Sequence, residues 1–423
     1  MKVLLIGGGG REHALAWKLA QSPGVHELLA SPGNPGIAAV ARCVGGASDP
    51  EGIATLAQQQ GVDLVVIGPE APLVAGAVDA LRARGIVVFG PDAAAARIEG
   101  SKAWAKQILG EAGVPAGRAR AFTDVDEAAA YLDELEAPFV VKADGLAAGK
   151  GVSISEDKAG AVAAIRDSLV RRRFGESGET VLIEEFLHGE ELSIFVLSDG
   201  KTALPLAAAQ DFKRALDDDL GPNTGGMGSY SPIPHLPADI VDRAMDQIFE
   251  PVLGTMAAQG APFVGCLFGG LILTADGLRV IEFNCRFGDP EAQVLMPRLD
   301  GDLAELMLAC AEGTLAGARA NWRPEACVSV VLASGGYPGD YQTGQPIAGL
   351  DAAAALEDVV VFHAGTAEGP VSAGGRVLSV SALGADLAQA RARAYDAVEL
   401  IDFEGKQYRH DIAARAAELE GSR

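Results

Sequence analysis

Residues 281–287 read Ile281-Glu282-Phe283-Asn284-Cys285-Arg286-Phe287. Polar and apolar residues alternate strictly, the period of a strand with one face on the core and the other outside it. The alternation puts Glu282, Asn284 and Arg286 on one face and Ile281, Phe283, Cys285 and Phe287 on the other. A carboxylate and an amide oxygen two residues apart are hard donors suited to Mg²⁺, an ion that prefers to bridge substrate phosphates. Arg286 beside them suits a phosphate clamp, because its planar fork matches two anionic oxygens. Gly288-Asp289-Pro290-Glu291 follows at once and adds polar groups in a bend. The plainer alternative is a salt-bridged face open to solvent.

Working outward, a run near Phe263 to Leu273 precedes this strand, and the Asp276-Gly277 pair predicts a hairpin between them. A helix is expected over 240–258, and the Gly/Pro-rich, charged stretch 211–237 reads as a long functional loop. That loop carries Gln210-Asp211-Phe212-Lys213-Arg214 and Asn223-Thr224-Gly225-Gly226-Met227-Gly228, a set that suits a small zwitterion and a phosphate, or else is solvated loop charge. Val181 to Leu187 forms a strand and linker with Glu184 and Glu185, followed by Glu190 and Glu191; an adenine fits the linker and a ribose one of those acids. Lys142-Ala143-Asp144-Gly145-Leu146-Ala147-Ala148-Gly149-Lys150-Gly151 joins two strands. Three residues rather than four separate Gly145 from Gly149, which rules out a Walker A loop. The segment reads as a flap over nucleotide phosphates with Lys142 and Lys150 neutralising them, or as an ordinary hairpin with two solvated lysines.

Residues 2–98 alternate short apolar runs with Ala-rich helical stretches, the pattern of a parallel α/β sheet. Their strands end in Gly7, Gly68-Pro69-Glu70 and Gly90-Pro91, so loops at the carboxyl ends should line a crevice. Gly7-Gly8-Gly9-Gly10-Arg11-Glu12-His13 sits between a strand and a helix, where backbone N–H groups hold an anion, or where the glycines make only a tight turn. It is not the dinucleotide fingerprint, since Glu12 or His13 stands where a small residue is needed. Beyond Asn321, strands at 328–332, 359–362 and 377–380 and a helix over 387–398 make a small α+β unit.

The chain has 423 residues, enough for about three domains. With 34 Lys+Arg against 57 Asp+Glu, its formal charge of -23 argues against a whole-chain grip on nucleic acid. Hydrophobic residues at 49% and charged residues at 22% are ordinary globular usage. No apolar run approaches the ~20 residues of a membrane span, and the N-terminus reads as a strand rather than a signal. Five cysteines without a C-x-x-C pair fit a reducing cytoplasm and are read as buried thiols. His26, His188, His235, His363 and His410 show no metal spacing.

Gly9-Gly10-Arg11-Glu12-His13-Ala14, Gly68-Pro69-Glu70-Ala71-Pro72-Leu73, 142–151, 221–228 and 282–291 together resemble the phosphoribosylamine-glycine ligase (glycinamide ribonucleotide synthetase) family. The likeness continues through Gly335-Gly336-Tyr337-Pro338-Gly339-Asp340-Tyr341, His363-Ala364-Gly365-Thr366 and Gly374-Gly375-Arg376-Val377-Leu378, with no stretch left for a further activity. It implies an ATP-grasp fold: a Rossmann-like domain at 1–100, an ATP-grasp domain at 101–325 with a flap-like subdomain at about 116–190, and an α+β domain at 326–423. It implies ligation of glycine to 5-phosphoribosylamine through glycyl phosphate, with ATP and Mg²⁺ or Mn²⁺. The expected state is a cytoplasmic monomer, with a dimer left open, needing neither nucleic acid nor membrane.

By the same resemblance, Lys102, Lys142, Gly149, Lys150, Gly151 and Glu184 contact ATP, with Glu185, Phe186 and Leu187 as the adenine linker and Glu190 or Glu191 on the ribose. Glu282 and Asn284 hold metal. Arg286 faces the transferring phosphoryl group, with Asp211 and Lys213 as catalytic partners. Gly9, Gly10, Arg11, Glu12, His13, Pro69, Glu70, Arg214, Asn223, Thr224, Gly225, Gly226, Met227, Gly288, Asp289, Pro290 and Glu291 form the substrate wall. Two departures stand out: Phe212 where the family more commonly has His, and Gly8 in place of a polar residue. Other readings are a ligase for a different acid or amine, a nicotinamide oxidoreductase and a non-catalytic nucleotide sensor.

Overall fold

The computed structural model of the chain describes residues 1–147 and 151–422. The first unit is a five-stranded parallel sheet in the order Arg42–Cys43, Glu27–Pro32, Lys2–Gly7, Leu64–Ile67, Val88–Phe89. Val3, Leu4, Leu5, Leu64, Val65 and Val66 are fully buried, as strands covered on both faces by helices must be. The order reverses beside Lys2–Gly7, so the loops after that strand and after Leu64–Ile67 open into a crevice. Gly7 has φ +126, and a Cβ there would lie 2.4 Å from Cγ of Glu12. Glycine therefore makes room for the carboxylate that fixes the next turn.

Two antiparallel sheets follow. One runs Ala119–Phe122, Val181–Glu185, Phe139–Ala143, Val152–Ser155, and the other Ala203–Pro205, Glu190–Asp199, Val264–Thr274, Gly277–Asn284. In the first, alternation sends Phe139 and Val141 into a small core with helices Val125–Tyr131 and Lys158–Leu169. It sends Val140 and Lys142 the other way, into a cleft between the two sheets. The final sheet, with helix Leu387–Leu400 packed on it, is Gln210–Asp211, Gly228–Ser231, Ala326–Ala333, Arg376–Gly384, Val359–His363.

Three sequence-based expectations change. Stretch 211–237 is not one loop: Gln210–Asp211 and Gly228–Ser231 join the final sheet, and Arg214–Leu216 pairs with Leu220–Asn223. Gly228–Ser231 is hidden from sequence reading by its serines, which are buried and bonded, Ser229 donating to Pro290 O at 2.8 Å. Second, the 281–287 alternation is broken by a bulge, because Gly270 pairs with Glu282 but Leu271 with Val280. Ile281 is the extra residue; it lines the cleft instead of the core, and the strand ends at Asn284. Third, Cys43 is exposed, while the other four cysteines are buried. The helix expected over 240–258 is present, with a π turn at Met245–Phe249 just before Pro251, whose missing N–H disturbs the ladder. Among the described residues, no helix is long and apolar enough to cross a membrane.

His13 joins the first unit to the last. It is buried, its Nδ1 accepts the His363 N–H at 2.7 Å, and its ring meets Phe362 edge-on at 5.4 Å. Burial, with His363 adding to it, pushes its pKa down from 6.5 to about 3. Below about pH 6.5 the unfolded chain therefore takes a proton that the folded chain refuses, and stability falls as pH drops. This group contributes up to ~1.4 kcal/mol per pH unit. Urea unfolding between pH 6.5 and 5.5 should show a steeper loss for the wild type than for His13→Gln; identical slopes would remove His13 from the acid response.

Candidate active site

A cleft of about 510 Å³ lies between the two antiparallel sheets and reaches the crevice of the first unit. At one end, Val140, Ile154 and Ile272 offer apolar surface beside the linker Glu185, Phe186 and Leu187, while Phe268 pairs with Asn284 nearer the middle. Glu184 accepts from Lys142 at 3.0 Å and from Lys106 at 3.3 Å through Oε2, while its buried Oε1 has no partner among the described residues. Burial alone would raise the Glu184 carboxyl, but the two lysines pull it below the ordinary carboxylate value. Lys102 donates to Gly145 O at 2.8 Å, and burial lowers its ammonium pKa. Arg118 pins Glu185 at 2.7 Å. Gly151 lines the cleft; the flap expected over 142–151 includes Gly149 and Lys150, which lie outside the described residues.

In the middle stand Glu282 and Asn284. Glu282 forms no ion pair with a described residue, so its oxygens remain available. Asn284 Oδ1 accepts from Arg286 at 3.0 Å, which leaves its second lone pair for a cation. Among the described residues, no group of three or more His, Cys, Asp or Glu forms a metal cluster. A divalent ion here would draw only Glu282 and Asn284 from the protein, a donor set that fits a metal completed by phosphates and water.

At the other end Arg286 is caged. Its Nε donates to Glu70 at 3.1 Å, one terminal nitrogen to Glu99 at 2.8 Å and to Asn284, and the other to Phe287 O at 3.2 Å. Of its five N–H groups, one has no partner among the described residues and is left to meet an anion. Arg11 is buried, bonded to Glu12 at 2.6 Å and to Phe287 O at 3.2 Å, and lies 3.8 Å from Glu70. Burial would raise Glu70, but Arg286 and Arg11 hold it below its ordinary value.

The third wall comes from 211–226. Lys213 lies 3.5 Å from Asp211 and pairs with Glu191. Burial opposes the Lys213 charge, yet Asp211, Glu191 and Glu282 raise its pKa well above the usual lysine range. Of the two neighbouring acids, Glu191 faces the cleft, while Glu190 turns to His235. Asn223, Thr224 and Gly225 line the cleft. Arg376 ties this loop to the next turn, donating to Gly225 O and Asp289 O at 2.8 Å each and pairing with the Asp289 carboxylate at 3.1 Å. The Gly225 N–H donates to the Tyr337 hydroxyl at 3.1 Å.

Of the residues expected at the site, Arg11, Glu70, Lys102, Lys142, Gly151, Glu184–Leu187, Glu191, Asp211, Lys213, 223–225, Glu282, Asn284, Arg286, Asp289 and Glu291 meet in this cleft. Others expected in the substrate wall do not line it. Gly9 donates its N–H to Glu12 at 2.7 Å, and Gly10 begins helix Gly10–Leu19. Glu12 serves Arg11, and His13 faces His363. Pro69 caps helix Glu70–Val74, and Arg214 donates to Asn223 at 3.3 Å. Met227 is wholly buried, because strand pairing turns it inward; Gly226, Gly288 and Pro290 shape backbone around the cleft.

Sequence reasoning missed Glu99, Lys106 and Arg376 as parts of the site. Arg376 stands in the quoted Gly374-Gly375-Arg376 motif, which was its only signal; Glu99 and Lys106 are plain helical charges.

Residues 1–99 match the N domain, residues 100–292 the ATP-grasp (A) domain and residues 327–415 the C domain described as those of phosphoribosylglycinamide synthetase. The chain is 53% identical to phosphoribosylamine–glycine ligase of Rhizobium meliloti, over 99% of this chain and 100% of that one. It is 54% identical to the protein of the same name from Caulobacter vibrioides, over 98% of each. Its fold superposes on the crystal structure of phosphoribosylamine–glycine ligase from Thermotoga maritima with TM-score 0.85, at 32% identity over 98% of this chain and 100% of that one. Domain order, cleft and end-to-end similarity agree: the chain belongs to the phosphoribosylglycinamide synthetase family of ATP-grasp ligases.

Proposed function

We propose that the chain joins glycine to 5-phosphoribosylamine with ATP, giving glycinamide ribonucleotide, ADP and phosphate through glycyl phosphate. One observation carries the reading. A single cleft has a lysine-lined linker end at Glu184 and an arginine- and lysine-lined end at Arg11, Arg286 and Lys213, with Glu282 and Asn284 between them. A nucleotide at the first end points its phosphates at the second.

The glycine carboxylate attacks the γ-phosphoryl group, and the amine of phosphoribosylamine then attacks the acyl phosphate. The protein supplies position and charge rather than a nucleophile. Lys102 and Lys142 neutralise phosphate oxygens. Lys213, kept charged by its acidic neighbours, and the remaining N–H of Arg286 face the phosphoryl group in flight. A divalent ion held by Glu282 and Asn284, Mg²⁺ or Mn²⁺, supplies further neutralisation of the phosphates when bound. The loop 223–225 and Asp289, locked by Arg376, form the wall for the small substrates.

ADP release should require MgATP, glycine and phosphoribosylamine generated from ribose 5-phosphate and ammonia, each omitted in turn, with glycinamide ribonucleotide seen by mass spectrometry. Release that accepts another acid in place of glycine would keep the fold and overturn the substrate. Glu282→Gln should raise the magnesium needed for half-maximal rate by at least the ~10-fold found for residues that merely support a ligand. An unchanged metal titration would take Glu282 out of the metal shell. Arg286→Lys keeps the charge but loses the fork to Glu70 and Glu99, and should lower turnover about 10²-fold, the effect of deleting one donor to a transition-state anion; wild-type turnover would sink the assignment.

A further inference from the structure

The acids of the cleft are almost all matched by a cation. Glu70 and Glu99 meet Arg286, Glu184 meets Lys142, Glu191 and Asp211 meet Lys213, and Asp289 meets Arg376. Glu282 is given to the metal. Glu291 lines the same cleft, is 3% exposed, and forms no ion pair with a described residue. Its Oε1 accepts from the Ser193 hydroxyl at 3.1 Å. Its other oxygen lies 2.3 Å from where a Cβ on Gly288 would stand, so the turn before helix Ala292–Arg298 holds it in place. A buried carboxylate with no cation of a described residue within ion-pair distance is costly when charged.

We infer that Glu291 is the base that takes the proton from the amine as the amide bond forms. The inference rests on the ligase reading above. The amine lone pair makes the C–N bond to the glycyl carbonyl carbon. The C–O bond to the phosphoryl group breaks, its electron pair leaving with inorganic phosphate. The surplus N–H proton passes to the Glu291 carboxylate and then to solvent. Without that transfer the attacking nitrogen stays cationic and is expelled again.

Burial, then the charge of Asp211, pushes the Glu291 carboxyl up to about 7, while its own backbone N–H, Lys213 and the Ser193 hydroxyl pull the other way. Arg286 also faces it. A base with this value is half-ionised near neutrality, where proton acceptance is most effective.

The test follows ADP and glycinamide ribonucleotide together, from pH 5.5 to 8.5, with all three substrates present. In the wild type the rate should rise with pH through about 7, as the base loses its proton. Glu291→Gln should lose that limb, fall about 10²-fold in product formation, and form more ADP than product, because acyl phosphate not captured by the amine hydrolyses. Ser193→Ala removes a donor to the charged form and should move the limb to higher pH, a readout that holds even if Glu291→Gln folds poorly. An unchanged limb in Glu291→Gln, ADP and product falling in step, or no shift in Ser193→Ala would each overturn the assignment and leave the ligase reading intact. A wild type that needs no glycine or no amine for ADP release would overturn both.

Discussion

The Arg286 guanidinium between Glu70 and Glu99 is the interaction on which the site depends. Glu70 begins helix Glu70–Val74, which follows a parallel strand of the first unit, Glu99 comes from helix Ala93–Gly100, and Arg286 lies just past the end of the hairpin that carries Glu282 and Asn284. Glu99 also accepts the Cys285 N–H at 2.8 Å, so backbone and side chain are held together. A buried charge that loses its partner is strongly destabilising, which makes the three segments move as one. The strand of Glu282 and Asn284 and the crevice of the first unit are thereby fixed relative to each other, as the proposed transfer between two bound substrates demands.

The last unit contributes by holding a loop. Arg376 and Tyr337 bind Gly225, and at the other side of the same stretch Arg409 is buried with Asp219 at 2.8 Å and Asp411 at 2.7 Å. The Arg409 guanidinium also stacks 4.8 Å from the ring centre of Phe212. Phe212, a departure from the commoner histidine, thus works here as a packing face between Asp211 and Lys213, and it can move no proton. Since Gln210–Asp211 and Gly228–Ser231 are strands of the final sheet, 211–226 is anchored at both ends by a domain that otherwise lies behind the cleft.

Charge is distributed unevenly. The chain carries a formal -23, yet Arg11, Lys102, Lys106, Lys142, Lys213, Arg286 and Arg376 all reach one cleft. Most of these cations are paired with acids, which keeps them charged while buried and leaves selected N–H groups and lone pairs for ligands. The arrangement suits triphosphate and phosphoribosyl groups, and the outward negative charge disfavours nonspecific polyanions.

Where chemistry lies close in sequence, it was readable from the residues. The apolar runs at 3–6 and 64–67 read as strands of a buried parallel sheet, and Glu282 and Asn284, two apart on a strand, share a face. Local period and donor chemistry decide these points without any distant contact. The bulge at Ile281, the inward turn of Met227, the choice of Glu191 over Glu190 and the strand made of Ser229, Tyr230 and Ser231 depend on which backbone pairs with which. Likewise Glu99, Lys106 and Arg376 acquire roles only because residues 186, 78 and 87 positions away in the chain fold against them. Sequence determined most of the elements, the family and the hard-oxygen pair; tertiary structure decided the strands within 211–237 and how the buried charges were matched, because a strand's and an ion's partner are set by distance in space.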